Sequence, residues 1–296
     1  MLPLVYHLGY DLNLGSHVFP AQKYRLIRER LADWPVQTPE PATDNQVLLV
    51  HTPAWTAALR DGTLTPRQIQ TLEIPWSPEM ARGFWLAAGG TLLAGRLALT
   101  HGGAYNIGGG FHHAFPNHGE GFCALHDVAI AIRALQAEGL IQRAIVVDTD
   151  VHHGNGTAAI FATDPSVFTL SIHQQNNYPA IKPPSDLDLP LADGVGDDEY
   201  LAILQPAVEQ AVASFQPDIL FYVAGADPYY DDQLGGLDLS IAGLEARDQA
   251  VFAAARRRRI PIAVTLAGGY ARRVEDTVTI QTNTALALYK TLSSYE

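Results

Sequence analysis

The chain cannot form an intramolecular disulfide: its 296 residues include a single cysteine, Cys123, and one thiol cannot close a bridge. Nothing at its start has the basic stretch followed by an apolar run that marks an export leader. Together these lead to the expectation of a reducing, cytoplasmic setting. No apolar run approaches the about 18 residues needed to cross a bilayer, so no membrane span is expected. Charge is sparse as well. Asp, Glu, Lys and Arg make up 17% of the residues, below the about 25% of ordinary soluble domains, which suits a large buried sheet with limited charged surface. Positive charge is the scarcer sign: 19 Lys and Arg against 31 Asp and Glu leave a formal net charge of -12. That excludes the clustered cations on which direct nucleic-acid binding depends. The one basic run, Arg256 to Arg259, closes an Ala-rich helical pattern, where cations meet the negative end of the helix dipole. It reads as a solvated helix end. The glycines Gly108, Gly109 and Gly110 match neither G-x-G-x-x-G nor G-x-x-x-x-G-K-[ST], which argues against a nucleotide cradle.

Apolar content is 47%, enough for a sizeable core, and it is arranged in alternation. Helical patterns over Ala21 to Trp34, Pro78 to Thr100, Ala124 to Glu138, Asn155 to Ala162, Asp197 to Phe215, Ser240 to Arg258 and after Arg273 are interleaved with short apolar strands. The strands are expected at Met1 to His7, Tyr105 to Ile107, Ile145 onward, Val167 to His173, Ile219 to Ala224 and Ile262 to Leu266. Strands separated by helices imply right-handed crossovers and a sheet covered on both faces. No internal repeat or compositional break divides the chain. The expectation is an α/β fold: a single three-layer α/β/α domain over residues 1–296 with a mostly parallel central sheet.

The richest stretch is I-V-V-D-T-D-V-H-H-G-N-G, Ile145 to Gly156. In an extended segment Asp148, Asp150 and His152 share one side, and two carboxylates converging at the end of a buried strand are costly unless a cation joins them. In parallel sheets ligands bind beyond the carboxyl ends of the strands, and five strand ends here carry polar groups: His112 and His113, Asp150 and His152, Ser171 and His173, Asp227, and Tyr270. Asp150, His152 and Asp227 offer two oxygens and one nitrogen and leave a coordination position open, the pattern of a catalytic metal site. Two carboxylates neutralise a dication, so a separate base is needed, and His112 and His113 can supply it. Tyr270 can donate to an oxyanion. The parts suit metal-assisted amide hydrolysis.

G-G-G-F-H-H-A-F, D-T-D-V-H-H-G-N-G, G-A-D-P and A-G-G-Y, in this order and spanning nearly the whole chain, resemble the zinc-dependent histone deacetylase family, with its arginase/deacetylase fold. H-V-F-P-A-Q-K-Y from His17 and N-G at Asn155 look more like the class IV-type and bacterial branch, from which His153 departs by standing where glutamine is common. The resemblance implies zinc on Asp150, His152 and Asp227, with ferrous iron also compatible with that donor set. It implies Tyr270 on the scissile carbonyl, His113 as general base and acid paired with Asn155, and His112 as its electrostatic partner paired with Asp148. It further implies a structural potassium ion held by Asp148, Asp150, His152, Ser171 and Ile172, aromatic tunnel walls at Phe122 and Tyr178, and a Gly121 carbonyl that accepts the substrate amide N–H.

The implied activity is removal of acetyl or longer acyl groups from lysine side chains of proteins or peptides. Two alternatives stay open. An acetylpolyamine amidohydrolase would place an acidic gatekeeper where this chain has Leu234, with Asp231 and Asp232 close by. A non-catalytic acyl-lysine-binding metalloprotein would be expected to lack His113 or Tyr270. Acyl length, physiological substrate and oligomeric state are not readable from these residues. His7, His17, His51, His101, His118, His126 and His173 read as structural, His153 as a group behind the metal ligands, and Cys123 as packing.

Overall fold

The structure is a computed structural model, and it describes residues 2–12, 14, 15 and 17–293; Met1, the expected start of the first strand, lies outside them. In chain order the elements are β1 (Leu4–Val5), α1 (Gln22–Arg30), β2 (Val36–Gln37), α2 (Asp44–Val47), α3 (Pro53–Asp61), α4 (Pro66–Leu72), α5 (Pro78–His101), β3 (Gly103–Asn106), α6 (Asp127–Ala137), β4 (Ala144–Asp148), α7 (Asn155–Phe161), β5 (Val167–Gln174), β6 (Leu187–Leu191), α8 (Asp197–Phe215), β7 (Ile219–Val223), α9 (Ile241–Arg257), β8 (Ile262–Thr265) and α10 (Val274–Ser293). Among the described residues, no helix is long and apolar enough to cross a membrane.

Among the described residues, eight strands form one sheet in the order β2-β1-β3-β8-β7-β4-β5-β6, and every neighbouring pair is parallel. β4 has β7 on one side and β5 on the other. Both of its edges are therefore paired, helices cover its two faces, and all five of its residues are buried. Alternation along the strands divides the core. Val146, Phe221 and Ala263 pack with Leu92 and Leu97 of α5 and Ile132 and Leu135 of α6. Ile145, Leu220, Tyr222 and Val264 pack with Tyr200 of α8, Phe252 of α9 and Leu288 of α10. This is the three-layer arrangement expected of alternating strands and helices.

The differences from expectation are at the edges. The first strand shrinks to Leu4–Val5, because the chain turns into a 3-10 helix at Leu8–Tyr10 with the His7 side chain capping it. β6 lies between the strand expected over Val167 to His173 and the helix expected over Asp197 to Phe215, where the sequence pattern predicts no strand. Its L-D-L-P-L sequence is half exposed, and Pro190 is tolerated there because an edge strand has ladder partners on one side only. α4 carries its own signal, a capping box of Thr65 and Gln68 with Pro66 in the first turn. The basic run behaves as read: α9 ends at Arg257, and Arg257 and Arg258 pair with Glu209 of α8.

One buried ion pair ties the helices on one face to the rim of the sheet. Arg247 of α9 is fully buried; its Nη1 donates to the Gly225 carbonyl at 2.6 Å and its Nε and Nη2 donate to Asp248 Oδ1 at 3.0 and 2.8 Å. Asp248 also accepts from the Tyr222 hydroxyl at 2.6 Å and from Thr284 Oγ1 at 2.5 Å. Removing the cation leaves a buried carboxylate without its counter-charge, and breaking such a pair costs about 3–5 kcal/mol. Arg247→Met is expected to lower stability by that amount, read as a reduced urea midpoint.

Candidate active site

The site forms where β3, β4, β7 and β8 end. Beyond β3, the loop carrying His112 and His113 is pinned by one buried carboxylate. Asp127 accepts from the backbone N–H of Phe111 at 2.8 Å and of Gly110 at 2.9 Å, and Thr91 Oγ1 donates to it at 2.5 Å. Gly110 has φ +85°, and a Cβ on it would stand 2.5 Å from the Ala267 nitrogen. Only glycine lets this loop pass the end of β8. The two imidazoles that result are adjacent, with ring centroids 4.0 Å apart.

Each imidazole has its own partner. His112 Nδ1 lies 2.6 Å from Asp148 Oδ2, and His113 Nδ1 lies 2.7 Å from Asn155 Oδ1. β4 ends at Asp148, so the strict alternation read from sequence stops there. Asp148 turns to His112, while Asp150 and His152 converge with Asp227 into a buried group whose ligand atoms lie within 4.8 Å of one another. His152 Nδ1 is 3.0 Å from Asp150 Oδ1 and 3.3 Å from Asp227 Oδ2. Backbone amides orient the carboxylates: Gly268 N–H donates to Asp150 Oδ2 at 2.8 Å and Val151 N–H to Asp227 Oδ1 at 2.9 Å. Gly268 must be glycine, since a Cβ would sit 2.0 Å from Asp227 Oδ2. That same Asp227 oxygen is buried without a hydrogen-bond partner. Two buried carboxylates and an imidazole facing one point, one oxygen unsatisfied, are a donor set that fits a divalent cation.

The charge pattern is asymmetric. Burial and the charge of Asp150 raise Asp227, whereas His112 and His152 hold Asp150 well below the usual carboxylate range against its own burial. Burial alone would depress His112, but Asp148 and Asp150 override it and bring it up to about 9. His113 goes the other way: burial and the neighbouring His112 and His152 push it well below its ordinary value. The same surroundings thus drive the two imidazoles in opposite directions, His112 toward its charged form and His113 toward its neutral one. Burial and the surrounding aspartates keep the Tyr270 phenol protonated, with its pKa well above the ordinary value, so it is a donor.

An open cavity of about 260 Å³ leads to these groups, lined by Gly121, Phe122, Tyr178, Leu234 and Tyr270 together with His113, His152, Asn177 and Glu73. Phe122 holds φ +67°, a conformation that costs a bulky residue energy and that aims its ring at Phe19, Tyr270 and His17. Tyr178 stands edge-on to His113, with centroids 5.0 Å apart. The Gly121 carbonyl accepts a weak 3.3 Å bond from Cys123 Sγ. A second, smaller cavity of about 20 Å³ is lined by Phe19, Phe111, Cys123 and Ala267 together with His112, His113, Asp150, His152 and Tyr270. Asp148 and Ser171, two of the residues implied for a monovalent cation, are register neighbours on β4 and β5, and Ile172 follows, buried.

Three residues to which the sequence reading gave no role, and Asp232, which it weighed only as a neighbour of the gatekeeper position, hold the site together. Lys23 is fully buried, donates to the Ala267 carbonyl at 2.8 Å and lies over the Tyr270 ring; burial lowers it to about 8 against the pull of Asp227, Asp150 and Asp232. Asp232 takes the Tyr270 N–H at 2.7 Å and two further amides. Asp127 and Glu120 are the others. Their only local signal is a charged residue inside an otherwise apolar or glycine-bounded segment. The remaining histidines fall as read. His51 and His126 bond each other and the carbonyl of Phe115, and His7, His17 and His118 also make local bonds. His153 lies behind the ligand group with His173 and Asp188, a second set with ligand atoms within 4.8 Å. Its Nε2 is 3.1 Å from Asp188, and His173 Nδ1 is 3.0 Å from Ser171 Oγ.

The sequence pattern described as Histone deacetylase domain matches residues 17–286. The chain belongs to the histone deacetylase family. It is 43% identical over 283 residues to an uncharacterized protein of Picosynechococcus sp., covering 93% of this chain and 94% of that one. It is 30% identical to Histone deacetylase 2 of Arabidopsis thaliana, over 93% of this chain and 77% of that one. With the acetoin utilization protein AcuC of Bacillus subtilis the identity is 31%, over 76% and 65%. Among solved structures the HDA15 HD domain superposes with a TM-score of 0.80 at 24% identity, covering 98% of this chain and 90% of that chain. The histone deacetylase fold and the eight-stranded parallel sheet therefore agree.

In this member of the histone deacetylase family the neutral Asn155 beside His113 has a measurable consequence. Asn155→Asp adds a negative charge that stabilises the protonated imidazole and so raises the His113 pKa. The acid limb of the kcat/KM profile, which reports protonation of the base, is expected to move to higher pH. An unmoved limb would show that His113 is not the base.

Proposed function

We propose that the chain is a metal-dependent amidohydrolase that removes short acyl groups, acetyl foremost, from lysine side chains of proteins or peptides. The observation that carries this is the shape of the cavity. A passage walled by Phe122 and Tyr178 suits the methylene stem of an acyl-lysine, and His113, His152 and Tyr270 line both it and a smaller cavity of about 20 Å³ that also carries Asp150 and His112. We read that smaller cavity, which holds about one water-sized group, the size of a methyl, as the floor that receives the acyl group.

A divalent cation on Asp150, His152 and Asp227, zinc with ferrous iron as the other candidate, supplies Lewis acidity and orients water and carbonyl. The chain's own residues do the rest. Neutral His113 takes the proton of the attacking water through Nε2, its Nδ1 being committed to Asn155. The Tyr270 hydroxyl donates to the oxygen on which charge develops. Cationic His112, whose ring centroid lies 4.0 Å from that of His113, offsets that charge. The protonated His113 then returns its proton to the leaving lysine nitrogen as the C–N bond breaks, giving a carboxylate and a free amine. The Gly121 carbonyl serves the substrate N–H, Leu234 lines the passage, and Asp148, Asp150, His152, Ser171 and Ile172 would hold a structural potassium ion.

An acetylpolyamine substrate is the second reading. Asp231 and Asp232 lend it no support, since Asp231 pairs with Arg272 and Asp232 is buried against backbone amides. Glu73 at the cavity mouth does, because a carboxylate there can meet a second amine. Against the non-catalytic reading stand His113 and Tyr270, both lining the cavity.

On one lysine peptide carrying acetyl through myristoyl groups, kcat/KM is expected to be greatest at acetyl and to fall with chain length. A rise with length would overturn the short floor, and turnover of acetylspermidine alone would overturn the lysine reading. Chelation should abolish activity. Tyr270→Phe should lower kcat by about 10²–10³, the usual loss for one oxyanion donor.

A further inference from the structure

The mechanism above leaves Glu120 unused, yet its carboxylate is the most heavily engaged group beside the base. It precedes Gly121 in the sequence G-E-G-F, and its side chain is 18% exposed. Oε1 accepts from Asn155 Nδ2 and from the Tyr178 hydroxyl, the latter at 3.0 Å, and Oε2 lies 3.3 Å from His118 Nε2. Those bonds hold Glu120 below its usual range against partial burial.

Asn155 is where this matters. A carboxylate beside His113 can only accept, so it would set the imidazole tautomer by itself. An amide presents an oxygen at one end and an NH₂ at the other, and a half-turn about its last torsion exchanges them. With the oxygen toward His113, Nδ1 carries the proton and Nε2 keeps the lone pair that a base needs. With the NH₂ toward His113, Nδ1 must accept, Nε2 carries the proton, and the base is lost. Two neighbours select the first orientation. The Gly156 N–H, which can only donate, points at Asn155 Oδ1 at 3.1 Å. Glu120, which can only accept, stands at the NH₂ end.

The geometry points to Glu120 as a positioning residue for the deacylation step, the far member of a His113–Asn155–Glu120 relay. It fixes the amide so that His113 is held as the Nδ1–H tautomer, and it returns to the dyad, one group further out, the negative charge that Asn155 lacks. Because the same oxygen binds the Tyr178 hydroxyl, and the Tyr178 ring stands edge-on to His113, Glu120 also ties the substrate passage to the base. This inference rests on the reading of His113 as the base.

The test is a two-by-two comparison of the metal-loaded protein on acetyl-lysine peptide: Glu120→Gln with Asn155 intact and in an Asn155→Asp background, each with kcat and KM separated. With Asn155 intact, Glu120→Gln is expected to lower kcat by roughly tenfold, at the low end for groups that orient a reacting residue, with KM within about twofold. In the Asn155→Asp background two carboxylates would face each other and repel, and Glu120→Gln should then raise kcat. Loss by the same factor in both backgrounds, or no loss in either, would overturn the relay and leave Glu120 a structural contact of Tyr178. Tyr178→Phe serves as the control for that contact and should leave the sign reversal intact.

A second readout does not depend on turnover. The ¹⁵N shifts of His113 should show the Nδ1–H form in the unsubstituted protein and a mixture in Glu120→Ala. A pure Nε2–H form in the unsubstituted protein would overturn the inference. Should no acyl substrate be turned over while the Nδ1–H form is found, the deacylase reading fails and the orienting role of Glu120 stands.

Discussion

The constraint on which the rest depends is the crowding of carboxylates at one end of the sheet. Asp150 and Asp227 are buried with ligand atoms within 4.8 Å of each other, Asp148 is buried two residues before Asp150, and buried Asp232 is near enough to raise Asp227. Desolvation and mutual repulsion both oppose such a cluster, so each member is given a dedicated partner: His112 for Asp148, the Gly268 N–H and His152 for Asp150, the Val151 N–H for Asp227, and three amides for Asp232. Lys23, sunk among aromatic rings, contributes a cation to the same region. What the protein leaves unmatched is one oxygen of Asp227. That oxygen is the acceptor a divalent cation would take up.

The two neighbouring histidines are driven apart by the same field. Asp148 keeps His112 charged, and that charge, with burial, keeps His113 neutral. Environments that separate the pKa values of paired groups are how one site runs both proton removal and charge stabilisation near neutral pH. Here the division follows from which histidine faces a carboxylate and which faces an amide.

The sheet and the ligand group were legible in the sequence because both rest on local rules. Apolar periodicity marks β4, β5, β7 and β8, and parallel strand ends gather their loops on one rim. Asp150, His152 and Asp227 could be read that way even though β4 stops short of them. The supports could not. Asp127 bonds residues 16 and 17 positions earlier, Lys23 reaches Ala267, and Glu120 meets Asn155 and Tyr178. No spacing rule links such residues, since their contacts exist only after the strands have been ordered. β6 escaped for the opposite reason: it has a pattern, but Pro190 and half exposure disguise it.

That edge strand bears on how copies of the chain can meet. An open parallel sheet ends in unpaired backbone groups that invite a further strand. At one end β2 is two residues long, and at the other β6 carries Pro190, which has no N–H to offer. Neither margin presents an unbroken ladder. Copies that approach edge to edge find too few hydrogen bonds to fuse their sheets, so the fold carries its own guard against strand-by-strand aggregation.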